Sequence, residues 1–235
     1  MKSLSKLLFL GLLGGIVGSY FFNVITDRNS ANVSGAVVSA PIVSATPSPG
    51  MWQSIVTKLS PSFVGIQAFS NDRALRQGSG IIVSSDGLIV TTADLATPKG
   101  TVYQIFYENT VLQATVVSVD SKINLMLLKT SSLDSNIAEL HTSSDSQSGQ
   151  EVVLIGKIFD LSKLVVASQR GTIGYATDKL VILDTNPNPY LYGFGAADSD
   201  GKLQGLAYLR TGKVFLIPAN LIETFFKSYI EKSTK

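Results

Sequence analysis

The chain has 235 residues, 45% hydrophobic and 15% charged, which bounds it to one sizeable domain with a tail or two small subdomains sharing a core. A net charge of +2 with no basic cluster excludes an electrostatic footprint for nucleic acid. The lack of cysteine excludes a disulfide framework, a thiol nucleophile and cysteine metal sites; a single histidine among scattered carboxylates leaves no metal-ligand cluster, and no cofactor is expected.

Residues 7–26, LLFLGLLGGIVGSYFFNVIT, carry no charge and follow Lys2 and Lys6. About 20 residues at ~1.5 Å each match a hydrocarbon core of ~30 Å. The lysines predict a cytoplasmic N-terminus and a single-pass anchor, residues 1–26, with the rest of the chain on the extracytoplasmic side of the membrane. A cleaved signal peptide is the competing reading. Its apolar region is shorter, and Phe22-Asn23-Val24-Ile25 is a poor cleavage site. Residues 27–50, rich in Ser, Ala and Pro, show no sustained periodicity and read as a flexible linker.

The remainder, 51–235, reads as one folded unit. Trp52, Ile55, Val56 and Leu59 at helical spacing predict a short amphipathic helix that stops at Ser60-Pro61. Strands are expected at 81–83 and 88–90 around the turn Ser84-Ser85-Asp86-Gly87, then at 102–107, 112–119 and 125–129. A polar stretch, 131–150, holds His141 and separates this group from a second one. That group comprises 151–156, 164–167, 171–176, 179–183, 202–209 and 213–217, with a further turn at Asp198-Ser199-Asp200-Gly201. No long helical pattern divides these strands, so the expected class is all-β, a pair of packed antiparallel barrels at about 61–130 and 150–218. A C-terminal helix over 220–231 is expected, with Asn220 as cap, Glu223 completing a capping box, and Leu221, Ile222, Phe225, Tyr229 and Ile230 as its apolar stripe.

Three segments bear on chemistry: GSGIIVSSDGLIVTTADLA (78–96), DSKINLMLLK (120–129) and NPYLYGFGAADSD (188–200). In this order they resemble the catalytic segments of trypsin-like serine proteases of the HtrA type. The likeness runs over about 51–231 and includes KLSPSFVGI (58–66), Gly171-Thr172-Ile173, SDGKLQGL (199–206) and FLIPANLI (215–222). It implies a trypsin-like double β-barrel with a C-terminal helix, preceded here by a single transmembrane helix. Asp94 stands where the family's TNAHV pattern has its histidine, and Asn124 where the family has its aspartate. Tyr192 replaces the serine of NPGNSGGPL; Tyr190 and Tyr192 stand at the two oxyanion-hole amides. Gly193 is kept, and Phe194 replaces the next glycine. Gly156-Lys157-Ile158 occupies the family's GNP and implies a remodelled loop. The sequence stops at Lys235, so no peptide-binding PDZ domain is expected.

Acyl transfer needs a nucleophilic hydroxyl, an imidazole to shuttle its proton and a carboxylate to orient the imidazole. A carboxylate titrates near ~4 and a phenol near ~10, neither matched to that task at neutral pH. His141 matches no family position. Ser79, Thr91 and Thr92 are candidate hydroxyls for a rewired site, but no histidine or lysine is visibly placed to activate them. Tyrosine and phenylalanine are expected to plug the cleft. The expectation is therefore not an enzyme but a membrane-anchored pseudoprotease, kept as a binding or scaffolding module for a protein or peptide partner. The alternatives are a serine endopeptidase with a rewired site, or a subunit of a homotrimer or of an assembly with active homologues, as the resemblance implies. Catalytic, cofactor-binding and metal residues are expected to be none, with Asp94, Asn124, Tyr192 and Tyr190 as the degenerate positions.

Overall fold

The computed structural model describes residues 49–70, 73–97, 101–133, 137–140, 146–160 and 163–233, all within the unit Ala45–Lys235. The apolar run 7–26, the linker up to residue 48 and His141 lie outside the described residues. Among the described residues, no helix is long and apolar enough to cross a membrane.

Helix α1 (Pro49–Leu59) runs through a 3-10 turn, Ser60–Ser62, into β1 (Phe63–Ser70). The first barrel adds β2 (Arg73–Ile82), β3 (Leu88–Thr92), β4 (Val102–Tyr107), β5 (Thr110–Asp120) and β6 (Leu125–Lys129). The second is built from β7 (Glu151–Asp160), β8 (Lys163–Ala176), β9 (Val181–Asp184), β10 (Gly195–Ala197), β11 (Leu203–Arg210) and β12 (Lys213–Pro218). Helix α2 (Ala219–Ser233) ends the fold. Each barrel closes on itself, in the orders β1-β2-β3-β6-β5-β4 and β10-β11-β12-β9-β8-β7, and every named pairing is antiparallel.

Alternation along the strands explains why two barrels form and stay together. Side chains two residues apart share a face, so a continuous apolar run is buried on both faces. In β6, Met126 and Leu128 fill the first barrel, whereas Leu125 and Leu127 point into the seam between barrels. In β7, Val152 and Leu154 fill the second barrel while Val153 and Ile155 enter the same seam. Both helices pack there: Trp52, Ile55 and Leu59 from α1, and Ile222 and Phe225 from α2. Ser79 ties the barrels by hydrogen bonds as well. Its hydroxyl donates to Val64 O at 2.9 Å and accepts Lys157 N–H at 3.0 Å.

The second barrel departs from expectation in several places. Gly156-Lys157-Ile158 forms no remodelled loop; β7 runs straight through it, and β8 is one strand of 14 residues instead of two. The lengthened hairpin lies on the first barrel, with Phe159 against Phe106 (ring centroids 4.6 Å apart) and the Lys157 amine 5.3 Å from the Tyr107 ring. Strands β1 and β10 were not among those expected. The α2 capping box does not form: the helix starts at Ala219, Asn220 Oδ1 accepts Leu221 N–H, and Glu223 pairs with Lys227 at 2.7 Å.

Candidate functional site

Each of the three motif segments carries its singled-out residue in a turn next to a strand. The β3 strand delivers Asp94 in the 3-10 turn Ala93–Leu95. Asn124, in the left-handed backbone region at φ 59°, sits in the turn just ahead of β6. The two residues meet: Asn124 Nδ2 donates to Asp94 Oδ2 at 2.6 Å, and Ala93 N–H donates to Asn124 O at 2.9 Å. Arg76 Nη1 donates to the Asp94 carbonyl and holds the turn from the far side. The two positions singled out by the resemblance are thus joined directly, through an amide and a carboxylate.

Tyr192 comes from the loop between β9 and β10. Its carbonyl accepts Ser79 N–H at 2.8 Å, and its half-buried ring packs on the core of the first barrel. Gly193 follows with φ +75°, where a Cβ would stand 1.9 Å from Ser79 O, so this step of the turn requires glycine. Gly193 N–H donates to Ala207 O at 2.9 Å, docking the loop on β11. The Tyr190 amide does not face an open site: it donates to Asn188 Oδ1 at 3.1 Å.

The expectation of a plugged cleft needs correction. Phe194 turns away from the site into the second barrel, is 2% exposed, and lies over Gly156 so closely that a Cβ there would stand 2.4 Å from its ring. Tyr190 is 45% exposed and leaves the space beside it open. Three cavities adjoin the site. One of about 350 Å³ lies between Arg76, Asp94, Pro189, Tyr190 and Tyr192, and a second of about 340 Å³ between Pro187, Tyr192, Leu209 and Thr211. The largest, about 670 Å³, runs from Asp94 and Asn124 to Tyr208, Arg210 and Leu221. Shared walls at Asp94, Tyr192, Leu209 and Arg210 make them one furrow.

The candidate hydroxyls of a rewired site are structural. Ser79, Thr91 and Thr92 are fully buried; Ser79 links the barrels, Thr91 Oγ1 donates to Ser79 O at 2.6 Å, and Thr92 Oγ1 is buried with no partner among the described residues. Tyr208, which the sequence motifs did not single out, has its phenol pKa pushed up by burial and by Asp94, against an opposing pull from Arg210. Its signal was weak because the SDGKLQGL motif stops two residues before it. Among the described residues, no group of three or more His, Asp or Glu side chains is placed to hold a metal ion.

A family model for the trypsin-like peptidase domain matches residues 78–206, more than half of the chain. Serine protease HTR4 from Bos taurus is 32% identical over 202 residues, covering 77% of this chain and 42% of the relative. Serine protease HTRA4 from Homo sapiens is 29% identical over 199 residues, with the same shares. The chain thus spans less than half the length of these curated relatives. The crystal structure of the serine endoprotease from Yersinia pestis superposes with a TM-score of 0.68 at 21% identity, over 77% of this chain and 67% of that one, and shows the shared fold. These findings overturn the expectation that the chain is not an enzyme, since the relatives are named serine proteases and the matched domain is a peptidase domain. The chain belongs to the trypsin-like peptidase family, as a member of the HtrA type.

Proposed function

We propose that this HtrA-type protein receives an extended polypeptide segment in the furrow between its barrels, on the extracytoplasmic face of a membrane to which residues 7–26 hold it. One observation carries the first half: a strand edge beside the furrow is left open. On its β10 side, β11 is paired through Leu206, and Ala207 takes the loop at Gly193 and Phe194. From Tyr208 to Arg210 that side has no strand partner among the described residues. An edge with free amides and carbonyls is a template for an extended chain, and cavities on either side of it give pockets for alternate side chains.

Asp94, Asn124 and Tyr192 then face the bound backbone. The membrane part rests on the uncharged run and the lysines ahead of it.

The test replaces Tyr192 with a photo-crosslinking phenylalanine analogue in the full chain and adds a labelled unfolded protein, with product formation followed in parallel. Crosslinking at position 192, together with slowed exchange of the Leu209 amide, the next after Ala207 to face that edge, is the expected result. Crosslinking only at other positions, with unchanged exchange, would overturn the reading.

A further inference from the structure

We propose that the largest part of the furrow selects acidic polypeptide, an extended segment in which carboxylates alternate with apolar side chains. This rests on the reading that the furrow receives an extended chain and adds which chain it takes. Three cations from separate elements converge on the cavity of about 670 Å³: Lys122 from the turn ahead of β6, Lys179 from the turn between β8 and β9, and Arg210 from the end of β11. All three are exposed, and none forms an ion pair with a described carboxylate.

Of the carboxylates nearby, Asp94 and Asp120 are engaged, and Asp178, next to Lys179 in sequence, does not line the cavity. Asp94, the one acid in the cavity wall, accepts Asn124 Nδ2 at 2.6 Å. Asp120 Oδ1 accepts the backbone amides of Lys122 and Ile123, at 2.9 and 3.4 Å. Three cations therefore face one carboxylate across a space open to a ligand. Unpaired like charges held around one cavity are stabilised by an incoming opposite charge and disfavour one of their own sign.

The remaining wall is apolar. The half-buried side chains of Ile123, Leu209 and Leu221 form it, while Leu216 and Ile217 behind them are turned into the two cores. Side chains of an extended segment alternate between two faces at about 3.3 Å per residue. With one set of side chains on this apolar wall, the other set reaches the cationic rim. A segment of alternating glutamate and valine satisfies both surfaces, whereas a lysine-bearing one meets charge repulsion.

The experiment titrates the full chain, kept soluble in a nonionic detergent, with a fluorescent nonapeptide alternating glutamate and valine. Counterparts carry glutamine or lysine in place of glutamate. At low salt the glutamate peptide should bind about tenfold tighter than the glutamine peptide, the effect of two or three exposed ion pairs. Raising the salt to about 0.5 M should close the gap, because it shortens the screening length below the width of the rim. The triple variant K122Q/K179Q/R210Q should bind both peptides alike. Equal affinity of the glutamate and glutamine peptides for the unmodified chain would overturn acidic selection and leave the furrow reading standing. A preference that persists in the triple variant would overturn it too, because the charge would be read elsewhere. Failure of every peptide to bind, with no protection of the Leu209 amide, would remove the underlying reading itself.

Discussion

Lys157 is only 7% exposed, with its amine over the Tyr107 ring. Burial lowers its pKa below the ordinary 10.5, and the negative charge of Glu108 opposes that shift only in part. The folded chain therefore holds this proton less tightly than the unfolded chain. Stability must rise with pH from the lowered value up to 10.5, and the penalty is fully present below that window. Lys157→Met keeps most of the buried stem and removes the charge. The expected result is a thermal midpoint a few degrees higher at pH 7 and a flatter profile toward pH 10, read by melts across that range; the lost contact with Tyr107 subtracts about 0.5–1 kcal/mol. The motif spacing singled out Asp94, Asn124 and Tyr192, and the first two meet in the structure. It failed on Phe194, because the direction of that ring is set by the positive φ of Gly193 and by the space above Gly156. Neither is visible in residue order.

Strand boundaries were legible where polar turns punctuate the sequence, as at Val102–Tyr107 and Leu125–Lys129, where expected and observed spans coincide. They were lost where no turn residue marks a pairing. The β10 strand is three small residues held between β11 and β7, and nothing in Gly195–Ala197 reads as strand. Conversely, the β8 pattern reads as two strands but is continuous, because residues 163–172 pair along β7 without a break in register and 172–176 carry on along β9. Helix α2 shows the same division. Its apolar stripe sets its packing, yet Ile230 is exposed and the cap residues serve other bonds. Ile222, fully buried in the seam, is the anchor of that helix. Ile222→Ala should lower stability by about 2–4 kcal/mol through lost burial and the cavity left behind, measured by urea unfolding. Ile230→Ala, at a site that packs far less, should shift it by less than about 0.5 kcal/mol.

The double barrel brings the turns of Asp94 and Asn124 into hydrogen-bond contact and sets Tyr192 on the same cavity as Asp94. A scaffold of that kind should accept the family's residues back. The chain carrying D94H, N124D, Y190G and Y192S is expected to cleave an unfolded protein at least about 100-fold faster than the unmodified chain. The gain would come from a paired hydroxyl and imidazole and from a freed oxyanion donor. Initial rates on a fluorogenic protein substrate measure it, and equal rates for the two chains would mean that the furrow does not present substrate to position 192.

Residue order alone carried the all-β class, the two-barrel division and the HtrA resemblance. Each of these depends on local periodicity or on the order of motifs along the chain. It could not show that Phe194 leaves the site, that Ser79 bonds across the barrels, or that Lys122, Lys179 and Arg210 share one cavity. Those three cations are separated by more than 30 residues at each step, and their meeting depends on closure of both barrels and on how the seam packs. Long-range placement of this kind is decided by burial on both faces of the strands, which no single segment contains.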